Sequence, residues 1–336
     1  MSAFLQQRRR LLAGAGGVAL TGCADLRERL FSPAGSTPEP ALREALDAHY
    51  AQGARALAGD ELEAAIAAWR RFVAAAPAGW PPARRVRGYL TLMEREAARR
   101  SARQAGRAEQ RLQASPPERL RVALFPFRAL GPNAATDPFH RALLAMITVD
   151  LSRVPSLAVL ERERIEQLLR ELQLSASGLV DRGALVAPAR LLGAGTVVTG
   201  TLLNEPGPAG PGSGRYKINA AALDMGNGRV FATPEADGRQ ADFFELQKQV
   251  VYGLLEALDV RDIPPAVRRV HTRSWEAYRR FAAGLNLLAQ DRFDEARAAL
   301  RSALEADPGF ALAEETFDDV PPRPLTLRQI LDEAVR

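Results

Sequence analysis

Cys23 is the single cysteine of the chain and directly follows Leu20, Thr21 and Gly22. A cysteine brings one kind of chemistry above others: its exposed thiolate is a nucleophile that can be alkylated. The surroundings fit that use. Arg8, Arg9 and Arg10 supply positive charge, and Leu11 to Gly22 supply twelve mostly apolar, Ala- and Gly-rich residues. Twelve residues fall short of the roughly 20 that a helix needs to cross a bilayer. Residues 1–22 are therefore expected to be a secretory signal peptide, removed at the small residues before Cys23. A buried free thiol, the ordinary state of a lone cysteine, would explain neither the charge nor the apolar run.

Leu20-Thr21-Gly22-Cys23 resembles the lipobox of bacterial lipoproteins. The resemblance implies diacylglycerol in thioether linkage on Cys23, then cleavage and acylation of the new terminus. Acyl chains contribute about 0.8 kcal/mol per buried methylene, so two or more make the anchor effectively permanent. Ala24 follows the cysteine and the first acid is delayed to Asp25; by the same resemblance this favours the outer membrane, with the protein facing the periplasm. Arg8-Arg9-Arg10-Leu11-Leu12 also resembles a twin-arginine export signal, which leaves two export routes open.

Other chemistry finds little support. His49, His140 and His271 are far apart and show no metal-ligand spacing, so no metal is expected. Glu161 and Glu163 would point to opposite faces of an extended segment, and helix-start electrostatics explains them more simply. The Gly/Pro run near residue 210 lacks the Lys-Ser/Thr sequel of a phosphate loop. No nucleophile elbow stands out. Neither an enzyme activity nor a cofactor is expected. The formal charge is +5, but Arg8, Arg9 and Arg10 leave with the signal peptide, and 5 − 3 = +2 remains on the mature side chains. Export and a charge near neutrality both argue against a nucleic-acid partner.

The elements that carry these features divide the chain. Residues 23–41, rich in Ser, Pro, Gly and charge, form a flexible tether. Two helical segments, 42–114 and 274–313, share one spacing: Gly53, Ala65 and Pro77 are twelve apart, as are Gly284, Ala296 and Pro308. Small residues let antiparallel helices approach closely and the proline ends the second helix of each unit. Both segments resemble the tetratricopeptide repeat, whose helices present a groove to peptides. Trp69 and Phe72 in the first copy, and Leu300 and Ala303 in the second, are expected on the packing face. One copy cannot bury its own apolar face, so neighbours must cover it. The Arg-rich stretch 84–114 reads as a solvated helix face, with an anionic surface as the alternative. Residues 314–336 form a tail with a linker around Pro321 and a short amphipathic helix built on Leu327, Ile330, Leu331 and Ala334. That tail either completes the packing of the second repeat or docks to a partner.

Between the repeats, residues 119–260 alternate strands and helices. Leu120 to Phe127 reads as a buried strand, Phe139 to Arg153 as a helix, Leu157 to Leu160 as a short strand, and Thr196 to Leu203 as a β-branched strand. Tyr216 to Asp224 and Arg229 to Thr233 meet at Gly226-Asn227, which suits a tight hairpin. A helix from Asp242 to Leu258 closes the segment. Several fragments recur here in a characteristic order: Val122-Ala123 with Pro126-Phe127, Leu160 to Ile165, Ser177-Gly178-Leu179-Val180-Asp181, Leu191-Leu192-Gly193-Ala194 and Thr199-Gly200-Thr201. In that order they resemble the CsgG family of curli-secretion lipoproteins. The fold so implied is α/β: a CsgG-like mixed-sheet α/β sandwich flanked by α-helical, tetratricopeptide-like hairpins.

Family members build rings and insert β-hairpins into the outer membrane, and a membrane strand needs about 9 to 11 alternating residues. One candidate, between Thr199 and Leu223, is interrupted by the Pro/Gly run; the other, Pro234 to Ala241, carries Glu235, Asp237 and Arg239. The resemblance with this departure implies a lipid-anchored periplasmic scaffold that assists assembly or secretion of surface components, binding envelope proteins or peptides through its repeat helices. The alternatives are an activator or regulator of a peptidoglycan enzyme and a true channel subunit, and a homo-oligomer stays open in each.

Overall fold

The computed structural model describes residues 38–335 apart from 78, 109–118, 133–137, 161, 172–181, 208–212 and 322. The expected signal peptide, the lipobox-like stretch with Cys23, most of the expected tether and the Ser177 to Asp181 fragment lie outside the described residues. The chain forms two compact units: residues 98–286, and a second assembled from both remaining parts, up to 97 and from 287 to the end.

In the discontinuous unit, α1 (Pro40–Ala58) and α2 (Leu62–Ala75) pack as an antiparallel pair, followed by α3 (Pro81–Ala108), which runs on into the other unit. The amphipathic pattern of α2 buries Leu62, Ala65, Ile66, Trp69, Phe72 and Val73. Gly53 is what lets the two helices meet: a Cβ there would stand 2.1 Å from Trp69 Cδ1. The indole fills that space, donating from Nε1 to the Tyr50 carbonyl at 3.0 Å and stacking on the Tyr50 ring with centroids 5.6 Å apart. Tyr89 of α3 continues the aromatic series 5.7 Å from Trp69.

The same unit receives α10 (Phe293–Ala306), α11 (Ala311–Asp319) and α12 (Leu327–Val335). Ile330 of α12 is fully buried in one cluster with Leu46, Trp69, Tyr89 and Met93. Arginines of α3 serve this unit's own structure. Arg84 and Arg87 pair with Asp318, and Arg95 meets Asp291 at 2.8 Å while its guanidinium lies over the Phe293 ring.

The α/β unit holds a mixed seven-stranded sheet. Its strands are β1 (Arg121–Leu124), β2 (Arg128–Leu130), β3 (Ala158–Val159), β4 (Thr196–Glu205), β5 (Arg215–Asp224), β6 (Val230–Ala232) and β7 (Glu235–Arg239). The order is β3-β1-β4-β5-β6, with β2 beside β4 and β7 beside β5. β1, β3 and β4 are parallel, as crossover helices require. β4 and β5 are antiparallel over ten registered pairs, Thr196 with Asp224 to Glu205 with Arg215. α4 (Phe139–Ser152) and α7 (Phe243–Ala257) cover the face carrying Tyr216, Ile218 and Ala220. α5 (Arg162–Glu171) and α6 (Arg182–Leu191) cover part of the opposite face, where Ile165, Leu168 and Leu192 join Val197 and Leu223.

The short α8 (Pro265–Arg268) leads to α9 (Trp275–Ala289), which carries the chain back into the discontinuous unit. The first turns of α9 belong to the α/β core: Trp275 and Tyr278 sit 5.0 to 5.6 Å from Phe139 and Phe243, and Tyr278 donates its hydroxyl to the Phe139 carbonyl at 2.9 Å.

Candidate functional site

The two helical segments that share one spacing turn alike. Asp60 and Asp291 take left-handed backbone conformations, φ 59° and 58°, which aspartate tolerates better than most residues. Glu61 and Arg292 then share φ/ψ near −86°/67° and −87°/67°. Their amides donate to the Ala56 and Leu287 carbonyls at 2.9 and 3.0 Å. Ala65 and Ala296 are fully buried, and Gly53 and Gly284 are buried too. Pro77 and Pro308 lie just past the ends of α2 and α10. Trp69, Phe72, Leu300 and Ala303 are all buried.

Three fragments of the α/β unit show why their residue types are needed. Gly193, at φ 63°, ends α6: its amide donates to Arg190 O at 2.9 Å and that of Ala194 reaches Ala189 O at 3.0 Å, the Schellman pattern of a helix C-terminus. Phe125 and Phe127 are fully buried, and the short non-strand stretch 125–127 separates β1 from β2, which pair in turn with one edge of β4. Gly200 admits Phe127 and β5, since a Cβ there would meet Asn219 O at 2.2 Å and Phe127 Cε2 at 2.7 Å.

Beside Gly200 the sheet is concave. A hollow of about 700 Å³ is lined by Arg128, Thr199, Thr201, Asn219 and Glu235 around small Ala220 and Ala221. The register places Thr201 opposite Asn219 and Asn219 opposite Glu235, and the Asn219 amide donates to Thr201 Oγ1 at 3.3 Å. Lys217 Nζ stands 3.2 Å from Glu235, and Arg215 is 2.9 Å from Asp237. Hydroxyls, an amide and fixed charges can hold a polar ligand by hydrogen bonds. No thiol or imidazole lines the hollow.

A buried cluster of charged groups lies elsewhere, joining α4, α7 and the segment after α8. Asp150 is completely buried. Its Oδ2 accepts from Lys248 Nζ at 2.6 Å and Gln247 Nε2 at 2.9 Å. Its Oδ1 lies 3.1 Å from His271 Nε2, off the line of a hydrogen bond, so neither atom gains a well-directed partner. Lys248 also donates to the Val267 carbonyl at 2.8 Å. Burial alone would push the Asp150 carboxyl up; His271 and Lys248 outweigh it and hold the group below its ordinary value. Burial pulls the Lys248 ammonium down, against the opposing pull of Asp150. Each polar group faces another member or a backbone carbonyl, which is the arrangement of an internal lock.

His271 was not legible as part of such a cluster from spacing, because its partners are 121 and 23 residues away in the chain. Among the described residues no group of three or more His, Cys, Asp or Glu could hold a metal ion. No described helix is long and apolar enough to cross a membrane.

No curated protein matches this chain. Among solved structures, the LpoB C-terminal domain from Salmonella enterica is similar at 16% identity, covering 40% of this chain and 95% of that one, with a TM-score of 0.27. Residues 100–207 match the model of the family described as the curli production assembly/transport component CsgG.

Proposed function

We propose that this chain is a lipid-anchored binding protein of the cell envelope. Its CsgG-like α/β domain and its helical unit organise protein partners for assembly or secretion of surface components, and it catalyses no reaction. The observation that carries this reading is the family match over residues 100–207. The lipobox around Cys23 supports the anchor and an outer-membrane site facing the periplasm. The paired helices with matched Gly53/Ala65 and Gly284/Ala296 spacing support tetratricopeptide-like binding of peptides. A scaffold rather than a pore is supported by the sheet: β4 and β5 are paired along their full length, and β7, from the second hairpin candidate, carries Glu235 and Asp237 in ion pairs with Lys217 and Arg215.

The test is affinity capture of the mature, lipidated protein from detergent-solubilised envelopes, with mass spectrometry and native complex size recorded together. A small complex containing envelope assembly or export proteins is expected. A large ring with exported subunits would replace the scaffold by a channel, and capture of a peptidoglycan synthase would replace it by an activator. Cys23→Ser should abolish acyl labelling and release or stall the precursor; unchanged labelling and membrane fractionation would remove the anchor from the proposal.

A further inference from the structure

Helix α12 sits on the discontinuous unit as an amphipathic ligand sits in a groove. Leu327, Ile330, Leu331 and Ala334 form an i, i+3, i+4, i+7 stripe. Ile330 is fully buried and the other three pack partly buried on the cluster built by α1, α2 and α3. Glu333 lies beside that stripe, accepts a hydrogen bond from the Tyr89 hydroxyl of α3 at 2.5 Å and pairs with Arg323 of the preceding linker. Val335 is 72% exposed.

The attachment is shallow where its anchor is firm. Ile330 is the one residue of α12 that is fully enclosed, whereas α2 encloses seven. Just upstream the chain is pinned. Thr91 Oγ1 donates to Asp319 O at 2.7 Å, and Arg297 Nη2 donates to the Val320 and Pro321 carbonyls at 2.7 and 3.3 Å. Exposed Arg323 and Pro324 then lead to α12. An element with few enclosed side chains opens locally at lower cost than the body beneath it, and the pinned linker keeps its effective concentration at the groove high. The aromatic stack of Tyr50, Trp69 and Tyr89 belongs to α1, α2 and α3 and holds the groove wall without α12.

We propose that the groove on α1 and α3 is a docking surface for an amphipathic helix. In this reading α12 occupies the groove as an internal ligand, and a partner helix with aliphatic side chains at i, i+3 and i+4 and a carboxylate at i+6 displaces it. The carboxylate position is that of Glu333 counted from Leu327, where the Tyr89 hydroxyl receives it. The proposal deepens the binding-protein reading, on which it rests for the partner's existence.

The probe is a labelled synthetic peptide of residues 325–335, titrated into the full mature chain and into its Ile330→Asp variant. The variant should bind the peptide at least tenfold more tightly than the unaltered chain, whose groove is filled. A peptide carrying Glu333→Gln should bind several-fold more weakly, and one carrying Ile330→Asp should not bind. A folded variant that ignores the peptide overturns the proposal. Hydrogen exchange on the unaltered chain stands beside it should the variant fail to fold. Amides of α12 should exchange at least tenfold faster than those of α2, and equal protection would make α12 an inseparable part of the core. Loss of the peptide effect with envelope partners still captured would sink the groove proposal alone; loss of partners with the peptide effect intact would sink only the scaffold.

Discussion

Replacing Asp150 with alanine would leave the Lys248 ammonium with the Val267 carbonyl as its partner and no counter-charge at 2.6 Å. Removing one member of a buried pair costs about 3–5 kcal/mol, because the survivor stays buried and uncompensated. Asp150→Ala is expected to show that loss in denaturant unfolding, and Asp150→Ala with Lys248→Met should recover much of it. Additive losses would mean that the two side chains do not act as a pair. The pH dependence follows from the directions of the shifts. The folded protein holds Asp150 below its ordinary value, so the unfolded chain binds its proton more tightly. The stabilisation is therefore present above the unfolded carboxylate value of about 3.9 and is lost as pH falls through the depressed folded value. Lys248 is also held low, so its contribution grows as pH rises toward the unfolded lysine value of about 10.4. His271 and Arg153 are the other titratable groups facing Asp150. Asp150→Asn should flatten the acid limb of stability measured between about pH 2 and 5; an unchanged limb would place its origin at other carboxylates. At this scale the sequence is least legible, since Asp150, Lys248 and His271 share no spacing and meet only through the packing of α4 and α7.

Elements were easier to read where their residues obey local rules. The paired spacing of Gly53 and Ala65, and of Gly284 and Ala296, encodes close helix approach, and Asp60 and Asp291 mark the turns with matching φ. β7 is obscured because it carries Glu235, Asp237 and Arg239; Lys217 and Arg215 on β5 balance the two acids, and Asp242 pairs with Arg239. Of the expected strand Leu120 to Phe127 only Arg121–Leu124 forms β1, and β2 at Arg128–Leu130, outside that stretch, is held by its tertiary pairing with β4. Gly53→Ala and Gly200→Ala test the glycine readings directly. Each Cβ would come within about 2.2 Å of a neighbour, and overpacking of this kind costs typically 1–3 kcal/mol. Gly59→Ala serves as the control, since a Cβ there would have no neighbour nearer than 3.5 Å. Thermal unfolding should rank both substitutions well below the control, and equal midpoints would show that Trp69 and Phe127 can yield.

At the scale of the whole molecule, the chain order of segments is a poor guide to their partners. A helical segment, an α/β domain, a second helical segment and a tail follow one another in sequence, yet residues 287–336 build one unit with residues before 98. The physical reason is that two isolated helices cannot bury both faces of their apolar stripe, so helices from the far end of the chain complete the cover. Phe293, Leu300 and Ile330 are each nearly or fully buried there, and Arg84, Arg87 and Arg95 find Asp318 and Asp291 across some 200 residues of chain. Detaching α12 alone bares a shallow groove, but removing everything after Asn286 takes away α10 and α11 as well. Such a truncation should raise binding of a hydrophobic dye and lower the first thermal midpoint by more than 5 °C, about the shift that 1 kcal/mol produces in a unit of this size. A chain ending at Pro324 should keep its midpoint within a few degrees. If both truncations behaved alike, the C-terminal helices would contribute as one indivisible block, and the separate release of α12 would have no structural basis.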